Sequence, residues 1–238
     1  MTAARQRTHC RGGYERIGDG EHSEVFRRPG SRYCVQLFKI GCAELTVAKI
    51  RREYAYLRQA YAELPGLIPA QRLFADNPRV PVWQTLLVKE WVNVDHHRPL
   101  NRVRRPDLRP ATVEQLASFI EVTRGLLAQP PWVQTLLPDI IDDRFQNLAL
   151  DTHGNLRLLD TNRLINTNAL RQLAPGQTLD ITRRRIHATF LRRLMYLDAA
   201  FRDQSTDRLR QDAVYSQYLC AEDFEILFQE SAALGEPI

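Results

Sequence analysis

Three oxygen-bearing side chains are spaced around a short hairpin pattern in the second half of the chain. Asp142 and Asn147 stand five residues apart, and Asp160 follows Asn147 by thirteen residues. Between Asn147 and Asp160, two short apolar runs flank the turn Asp151–Asn155, whose Asp, Gly and Asn residues suit a tight reversal. The pattern predicts a β-hairpin, with the first two side chains on one loop and Asp160 at the end of the next strand. We therefore expect the three side chains to converge.

The composition is that of a globular protein with enough apolar residues for a packed core. Of 238 residues, 44% are apolar and 26% are charged, which is ordinary, and this length predicts one large domain or two small lobes. The net charge of +5 permits an anionic partner such as ATP, a phosphoglycan, an acidic protein or a membrane surface. We expect no nucleic acid partner, because neither aromatic-basic interleaving nor zinc-ligand spacing is present.

The cysteines and the apolar runs bear on the cellular compartment. Four cysteines are scattered without a C-x-x-C pair, which favours reduced thiols in a cytoplasmic protein. No apolar run approaches the roughly 18 residues of a membrane span, and the N-terminus lacks the apolar segment of a secretory signal. We expect a cytoplasmic protein with no transmembrane segment, and peripheral contact with a membrane stays open.

Hydrophobic periodicity predicts a strand-rich region followed by a mainly helical one. Residues 1–12 are polar and expected to be flexible, and a composition break at residues 93–110 separates residues 13–92 from 93–238. Strands are predicted at Tyr14–Ile17, Glu24–Arg28, Tyr33–Phe38, Gln71–Ala75, Val82–Val92, Asn147–Leu150 and Leu156–Leu159. Helices are predicted at Ala43–Glu63, from a capping box at Thr112–Gln115 to Gln129, at Asp180–Arg202 and at Ala221–Leu234.

The order of these motifs resembles the protein-kinase-like superfamily over about residues 14–165. Ile17–Phe26 resembles the glycine-rich loop of that superfamily, with Ser23 in place of the third glycine. The resemblance implies an α+β, two-lobed protein-kinase-like fold, with a small five-stranded N-lobe that carries one helix and a reduced, mainly helical C-lobe. The Gly-x-Gly-x-His loop and Ile50–Glu53 are similar to YrbL-type kinase-like proteins, and Asp160–Arg163 is faintly similar to lipopolysaccharide core kinases. Both likenesses point to a small atypical bacterial member.

The resemblance implies ATP and Mg²⁺ as cofactors and assigns roles to individual residues. Asp142 matches the catalytic Asp, and Asn147 and Asp160 match the metal ligands. Arg144 either contacts the γ-phosphate, where the family has a lysine, or pairs with Asp143. The residues expected to bind the nucleotide are Gly18, Gly20, Ser23, Val25, Cys34, Gln36, Lys39, Glu53, Lys89 and the hinge residue Glu90.

The ATP-contacting lysine of the family is missing from its expected place in the third strand, where Gln36 stands instead. A bulge in this strand would bring Lys39 into the site. Alternatively, Lys89, which precedes the hinge, pairs with Glu53 near the phosphates, or it is a surface lysine. We favour the pairing of Lys89 with Glu53.

These assignments imply a phosphotransferase that passes the γ-phosphate of ATP to a hydroxyl, with protein Ser/Thr as the expected acceptor. One alternative is a kinase for a small molecule or a glycan, such as a lipopolysaccharide core sugar. Another is a pseudokinase that acts as a nucleotide-binding scaffold. Retention of Asp142, Asn147 and Asp160 favours chemistry, whereas Gln36 favours the pseudokinase.

Overall fold

The computed structural model describes residues 9–10, 13–41, 44–130, 132–142, 144–167, 178–216, 218–219, 221, 224–225 and 229, with only the backbone at 9–10, 178–185, 187 and 206. The chain forms two compact units: unit 1 is Met1–Ala55 and Pro69–Val92, and unit 2 is Tyr56–Ile68 and Asn93–Ile238. Residues 56–68, which the sequence assigned to the first region, belong to unit 2. The predictions for Cys42, Cys220 and most of Ala221–Leu234 lie outside the described residues.

Unit 1 contains a mixed α/β arrangement built on one antiparallel sheet in the order β1-β2-β3-β4-β6-β5. Its strands are β1 (His9–Cys10), β2 (Tyr14–Asp19), β3 (Ser23–Arg27), β4 (Tyr33–Phe38), β5 (Gln71–Phe74) and β6 (Leu86–Glu90). Five strands were predicted, and the additional one is β1, within the segment expected to be flexible. The predicted strand Val82–Val92 also starts too early, because Val82–Gln84 form a 3-10 turn after Pro81.

Helix α1 (Val47–Ala60) packs through Ile50 against one face of this sheet. Ile50 joins a buried cluster with Phe38 of β4, Leu87 of β6 and Val82. The helix begins four residues later than predicted, where the Thr46 hydroxyl accepts a hydrogen bond from Lys49 N at 3.1 Å. A threonine in this position satisfies a backbone N–H that the first helical turn leaves without a partner.

Unit 2 is mainly helical and contains two small strand pairs. Its helices are α2 (Pro110–Leu127), α3 (Thr178–Arg202), α4 (Thr206–Gln211) and α5 (Ala213–Ser216). Its strand pairs are β7 (Leu136–Leu137) with β10 (Ile165–Asn166) and β8 (Leu148–Leu150) with β9 (Leu156–Leu158). Helix α2 lies against α3, and both contribute fully buried side chains such as Phe119 and Phe190. Within the described part of the chain, no helix has the length and apolarity to span a bilayer.

The predicted capping box at the start of α2 is wrong. The helix begins at Pro110, and the Arg109 side chain makes no capping bond. The Thr112 hydroxyl instead donates to Gly154 O at 2.6 Å, and Gln115 Oε1 accepts from Leu156 N at 3.0 Å. Proline suits the first helical position without a cap, so both polar side chains can fasten the β8–β9 hairpin to α2.

Substitution of Gly154 in the hairpin turn is expected to lower the free energy of unfolding. Gly154 has a φ of +74°, and an added Cβ would lie 3.2 Å from Arg109 Nε. We expect Gly154→Ala to cost about 1–2 kcal/mol, because alanine is strained at this φ. Gly125→Ala is the matched control: Gly125 lies within α2 with nothing within 4 Å of the added Cβ, and alanine there should stabilise by about 0.5–1 kcal/mol. Urea denaturation measures both, and effects of the same sign would contradict the prediction.

Candidate functional site

The predicted β-hairpin is confirmed, and it places Asn147 beside the residue that precedes Asp160. Leu148 pairs with Leu158 in the ladder, and Leu159 N donates to Asn147 O at 2.6 Å. Antiparallel pairing therefore continues one residue beyond the strands, to the level of Asn147. Asn147 and Asp160 therefore both lie at the open end of one hairpin.

The hairpin turn is ordered by a buried carboxylate. Asp151 is 8% exposed, and its Oδ1 accepts hydrogen bonds from His153 N and Asn155 N, both at 2.9 Å. Asp in this position mimics a backbone turn by bonding to its own chain. The Asp-Thr-His-Gly-Asn sequence therefore fixes the hairpin register, and with it the pairing of Asn147 with Leu159, the residue before Asp160.

Asp142 begins a tight loop that leads into β8. Its Oδ1 accepts from Arg144 N at 2.9 Å and from Gln146 N at 3.3 Å, while its carbonyl accepts from Phe145 N at 3.1 Å. Phe145 has a φ of +53°, a left-handed conformation that is uncommon for a non-glycine residue and is typical of functional loops. The Arg144 side chain is exposed.

Helix α3 holds this loop through two contacts that sequence reasoning missed. Arg193 Nε donates to Ile141 O at 3.1 Å, directly before Asp142. The ring of Tyr196 stacks on Phe145, with the ring centroids 5.7 Å apart, and Phe145 is only 1% exposed. The cost of the left-handed backbone is offset by burial of a large aromatic ring.

A further carboxylate, that of Asp139, lies in the same cluster and was also missed. Burial raises the pKa of Asp139 above its ordinary value, and the nearby carboxylates of Asp160 and Asp142 raise it further. The N–H of Ile141, which donates to Asp139 Oδ1 at 3.2 Å, and the Arg163 side chain act in the opposite direction. Asp139 is thus close enough to Asp142 and Asp160 for their charges to raise its pKa. Its position three residues before Asp142 was the available sequence signal.

Asp139→Asn is expected to raise the free energy of unfolding at pH 7. Asp139 is half-buried near two other carboxylates, and asparagine removes the negative charge while keeping an oxygen for the N–H of Ile141. Because the pKa of Asp139 is raised in the native state, the folded protein binds this proton more readily than the unfolded chain does. The destabilisation that the charge causes is therefore lost as the pH falls toward 3.8, the ordinary pKa of this carboxyl. Urea denaturation at pH 7 and at acidic pH measures this. A destabilisation of equal size at both pH values would contradict it.

In unit 1, the Gly18–Ser23 turn joins β2 to β3 and is closed by Lys39. Lys39 Nζ donates to Asp19 Oδ1 and to Gly20 O, both at 2.7 Å, and Gly20 N donates to Ser23 O at 2.8 Å. This contact holds the pKa of Asp19 below its usual range, first through the hydrogen bond from Lys39. β4 pairs with both neighbours without a register shift, so the bulge that would redirect Lys39 does not occur.

One face of β4 carries the residues expected to contact a nucleotide. Gln36 lies opposite Val25 of β3 and Leu87 of β6, and its Nε2 donates to Ser23 Oγ at 2.7 Å. Gln36 and Ser23 are the two departures from the resembled pattern, and they bind each other. Val25 in turn lies opposite Gly18.

The other end of this face is formed by Cys34 and Lys89. Cys34 lies opposite both Lys89 and Arg27, and burial raises the pKa of its thiol while the Lys89 cation lowers it. The hinge residue Glu90 uses Oε2 to accept from Ala70 N at 3.0 Å. Arg27 covers the Trp91 ring, with the guanidinium carbon 4.6 Å from the ring centroid.

Glu53 is 2% exposed on α1, and the cation beside it was not foreseen. Lys49 Nζ lies 3.8 Å from Glu53 Oε1, one helical turn earlier. The i, i+4 spacing of opposite charges on a helix was the signal in the sequence. Lys49 therefore joins Lys39 and Lys89 as a candidate partner for anionic groups.

The oxygen donors of unit 2 fit Mg²⁺ that is carried by phosphate groups. Within the described ranges, no three His, Cys, Asp or Glu side chains are grouped so as to hold a metal. Asn147 and Asp160 present an amide oxygen and a carboxylate, which are hard donors suited to Mg²⁺. Magnesium is commonly held by one or two carboxylates together with substrate phosphates and water. Asn147 and Asp160 are therefore sufficient protein ligands for Mg²⁺ that arrives with a phosphate group.

Comparison with known proteins gave low similarities only. No family model and no curated protein matches the chain. A co-crystal structure of WbdD with the kinase inhibitor LY294002 is 14% identical with a TM-score of 0.38, over 92% of this chain and 45% of that chain. A second WbdD structure is 13% identical with a TM-score of 0.36, over 91% and 44%. Choline kinase LicA from Streptococcus pneumoniae is 13% identical with a TM-score of 0.34, over 93% and 92%.

The chain therefore spans less than half the length of the two WbdD chains. TM-scores this low do not establish a common fold.

Proposed function

We propose that this chain is an ATP- and Mg²⁺-dependent phosphotransferase that passes the γ-phosphate to a hydroxyl group. The observation that carries the proposal is the arrangement in unit 2. The hairpin sets Asn147 at the level of the residue before Asp160, and Asp142 lies with Asp160 in the electrostatic neighbourhood of Asp139. Metal ligands and a proton acceptor in one cluster are what phosphoryl transfer requires.

Each side chain of this cluster has a distinct chemical role in the proposal. Asn147 and Asp160 would hold Mg²⁺, which when bound neutralises charge on the phosphate oxygens. Asp142 would orient the acceptor hydroxyl and take its proton, while the N–H groups of Arg144 and Gln146 fix the carboxylate. Such catalysis consists mainly of positioning and electrostatic stabilisation. The Arg144 side chain, being exposed, is the proposed contact for the γ-phosphate.

Unit 1 supplies the proposed nucleotide site. Glycine-rich turns bind phosphates through backbone N–H groups because no side chain obstructs the approach. The residues proposed to contact the nucleotide are Gly18, Gly20, Ser23, Val25, Cys34, Gln36, Lys39, Glu53, Lys89 and Glu90. Of these, Glu53 is buried on α1, and Cys34 and Gln36 share one face of β4.

Protein Ser/Thr is the proposed acceptor, and a small-molecule or glycan hydroxyl is the alternative. A nucleotide-binding pseudokinase is a second candidate function, favoured by one observation. Gln36 is neutral and already donates to Ser23, so the strand position offers no cation to a phosphate. The retained Asp142, Asn147 and Asp160 favour turnover over simple binding, since a scaffold does not need this set of oxygen donors.

Incubation with γ-labelled ATP and Mg²⁺ tests these functions. Label on the protein itself, or on added protein, supports a Ser/Thr kinase. Label on an added lipopolysaccharide core oligosaccharide supports a glycan kinase. Mg²⁺-dependent thermal stabilisation by ATP without any transfer supports the pseudokinase. Absence of both nucleotide binding and label transfer would overturn the proposed function.

A further inference from the structure

We infer that Lys49 on α1 is the lysine that contacts the phosphates of the nucleotide, an inference that rests on the proposed function. The chain has three lysines, Lys39, Lys49 and Lys89, and all belong to unit 1. They differ in their distance from the Gly18–Ser23 turn and in the strength of the bonds they already make.

The strand position that faces the turn cannot provide a cation. Gln36 Nε2 donates to Ser23 Oγ at 2.7 Å, and Ser23 is 9% exposed. Both side chains are neutral, and their mutual bond is of ordinary length. A phosphate group at this turn therefore has to take its lysine contact from elsewhere in the unit.

Lys39 lies at the turn but is bound to it. Its ammonium donates to the Asp19 carboxylate and to Gly20 O, both at 2.7 Å. A phosphate would have to displace a charge-assisted hydrogen bond that is already short. The Lys39 ammonium thus already binds groups of the turn itself and is a poor candidate for the phosphate contact.

Lys89 lies at the opposite end of the sheet face. It pairs with Cys34 of β4, whereas Ser23 at the turn pairs with Phe38. Cys34 and Phe38 are four positions apart, which corresponds to about 13 Å along the strand. This separation exceeds the reach of a lysine side chain, so Lys89 is placed away from the turn.

Lys49 lies at the correct end and is only loosely held. The next residue, Ile50, belongs to the buried cluster that contains Phe38, so this part of α1 packs at the end of β4 that pairs with Ser23. The Lys49 ammonium lies 3.8 Å from Glu53 Oε1, too far for a hydrogen bond. Glu53 attracts the ammonium electrostatically, and the donors of Lys49 can still bind phosphate oxygens.

Binding measurements with two ligands test this inference in the full-length protein. Lys49→Met should weaken ATP binding on the order of 10- to 100-fold, the range of a hydrogen bond to a charged group, and should leave adenosine binding unchanged. Lys49→Arg should retain most of the ATP affinity. The matched variant Arg51→Met, which removes an exposed cation from the same helix, should leave ATP affinity unchanged.

The outcomes separate this inference from the proposed function. Wild-type protein that binds neither ligand overturns both. Wild-type protein that binds ATP, with Lys49→Met binding it equally well, overturns only the role of Lys49. Equal weakening of ATP and adenosine binding shows a structural role through Glu53 and also overturns it. Should Lys49→Met fail to fold, Lys49→Gln permits the same comparison.

Discussion

Asp160→Asn is expected to reduce Mg²⁺-dependent phosphate transfer on the order of 10³-fold or more, equivalent to about 4 kcal/mol in the activation barrier. The substitution removes the negative charge proposed to hold the metal. It keeps an oxygen that can accept from Asn162 N, which donates to Asp160 Oδ1 at 2.9 Å, so the local fold should survive. The initial rate of transfer from γ-labelled ATP at saturating Mg²⁺ measures the effect.

Asp76→Asn is the matched control for this prediction. Asp76 is an exposed carboxylate in unit 1, and its loss changes the net charge by the same amount. The Asp76→Asn variant should transfer phosphate at the wild-type rate. Wild-type activity in a folded Asp160→Asn variant would show that Asp160 is not a metal ligand and would remove the main support for the proposed function.

Arg124→Met is expected to lower the free energy of unfolding by about 3–5 kcal/mol. Arg124 joins α2 to two carboxylates of unit 2: it donates to Asp198 Oδ2 at 3.0 Å and to Asp212 Oδ2 at 2.6 Å. The side chains of Asp198 and Arg124 are only 1% and 16% exposed. The Tyr215 hydroxyl also donates a hydrogen bond to Asp198. Removing Arg124 leaves the buried Asp198 carboxylate with Arg202, 3.4 Å from its Oδ1, as its remaining cationic partner, so its charge is compensated only in part.

The loss in the free energy of unfolding caused by Arg124→Met should depend on pH. Burial raises the pKa of the Asp198 carboxyl, and Arg124 opposes that rise. Without Arg124 the pKa rises further, so the penalty is greatest at neutral pH and shrinks as acid protonates Asp198. Urea denaturation at neutral and acidic pH measures both effects.

Arg105→Met is the control for the buried arginine. Arg105 and Asp203 form an exposed pair at 3.6 Å, with side chains 45% and 89% exposed, and its loss should cost less than about 1 kcal/mol. Similar losses in the free energy of unfolding for Arg124→Met and Arg105→Met would show that the buried contacts of Arg124 with Asp198 and Asp212 stabilise the fold no more than an exposed ion pair does.

The sequence correctly indicated features that depend on neighbouring residues. The hairpin around Asp151–Asn155 was predicted because turn residues and short apolar runs determine such a structure locally. The positions of β3, β4 and β5 were predicted to within a residue or two for the same reason. The assignment of Asp142, Asn147 and Asp160 to a metal and acceptor site is a prediction that only nucleotide and metal experiments can test.

Errors occurred where a distant partner outweighed the local pattern. Thr112 and Gln115 match a capping box, but Gly154 and Leu156 lie within reach after folding and bind them instead. The strand predicted from Val82 begins only at Leu86, since the preceding residues form a 3-10 turn that buries Val82. A local propensity of a few tenths of a kcal/mol cannot compete with burial and tertiary hydrogen bonds.

Amino-acid order alone was enough to specify the hairpin, the glycine turn and the spacing of the oxygen donors, since these arise from contacts between residues close in the chain. The side chains that support them became visible only after folding. Asp139, Arg193 and Lys49 owe their significance to the residues that folding places beside them, and Lys39 is turned toward Asp19 by its position beyond β4. Contacts between distant parts of the chain decide the roles of Arg193 and Lys39, because folding brings their partners to them, whereas the i, i+4 spacing of Lys49 and Glu53 was already present in the sequence.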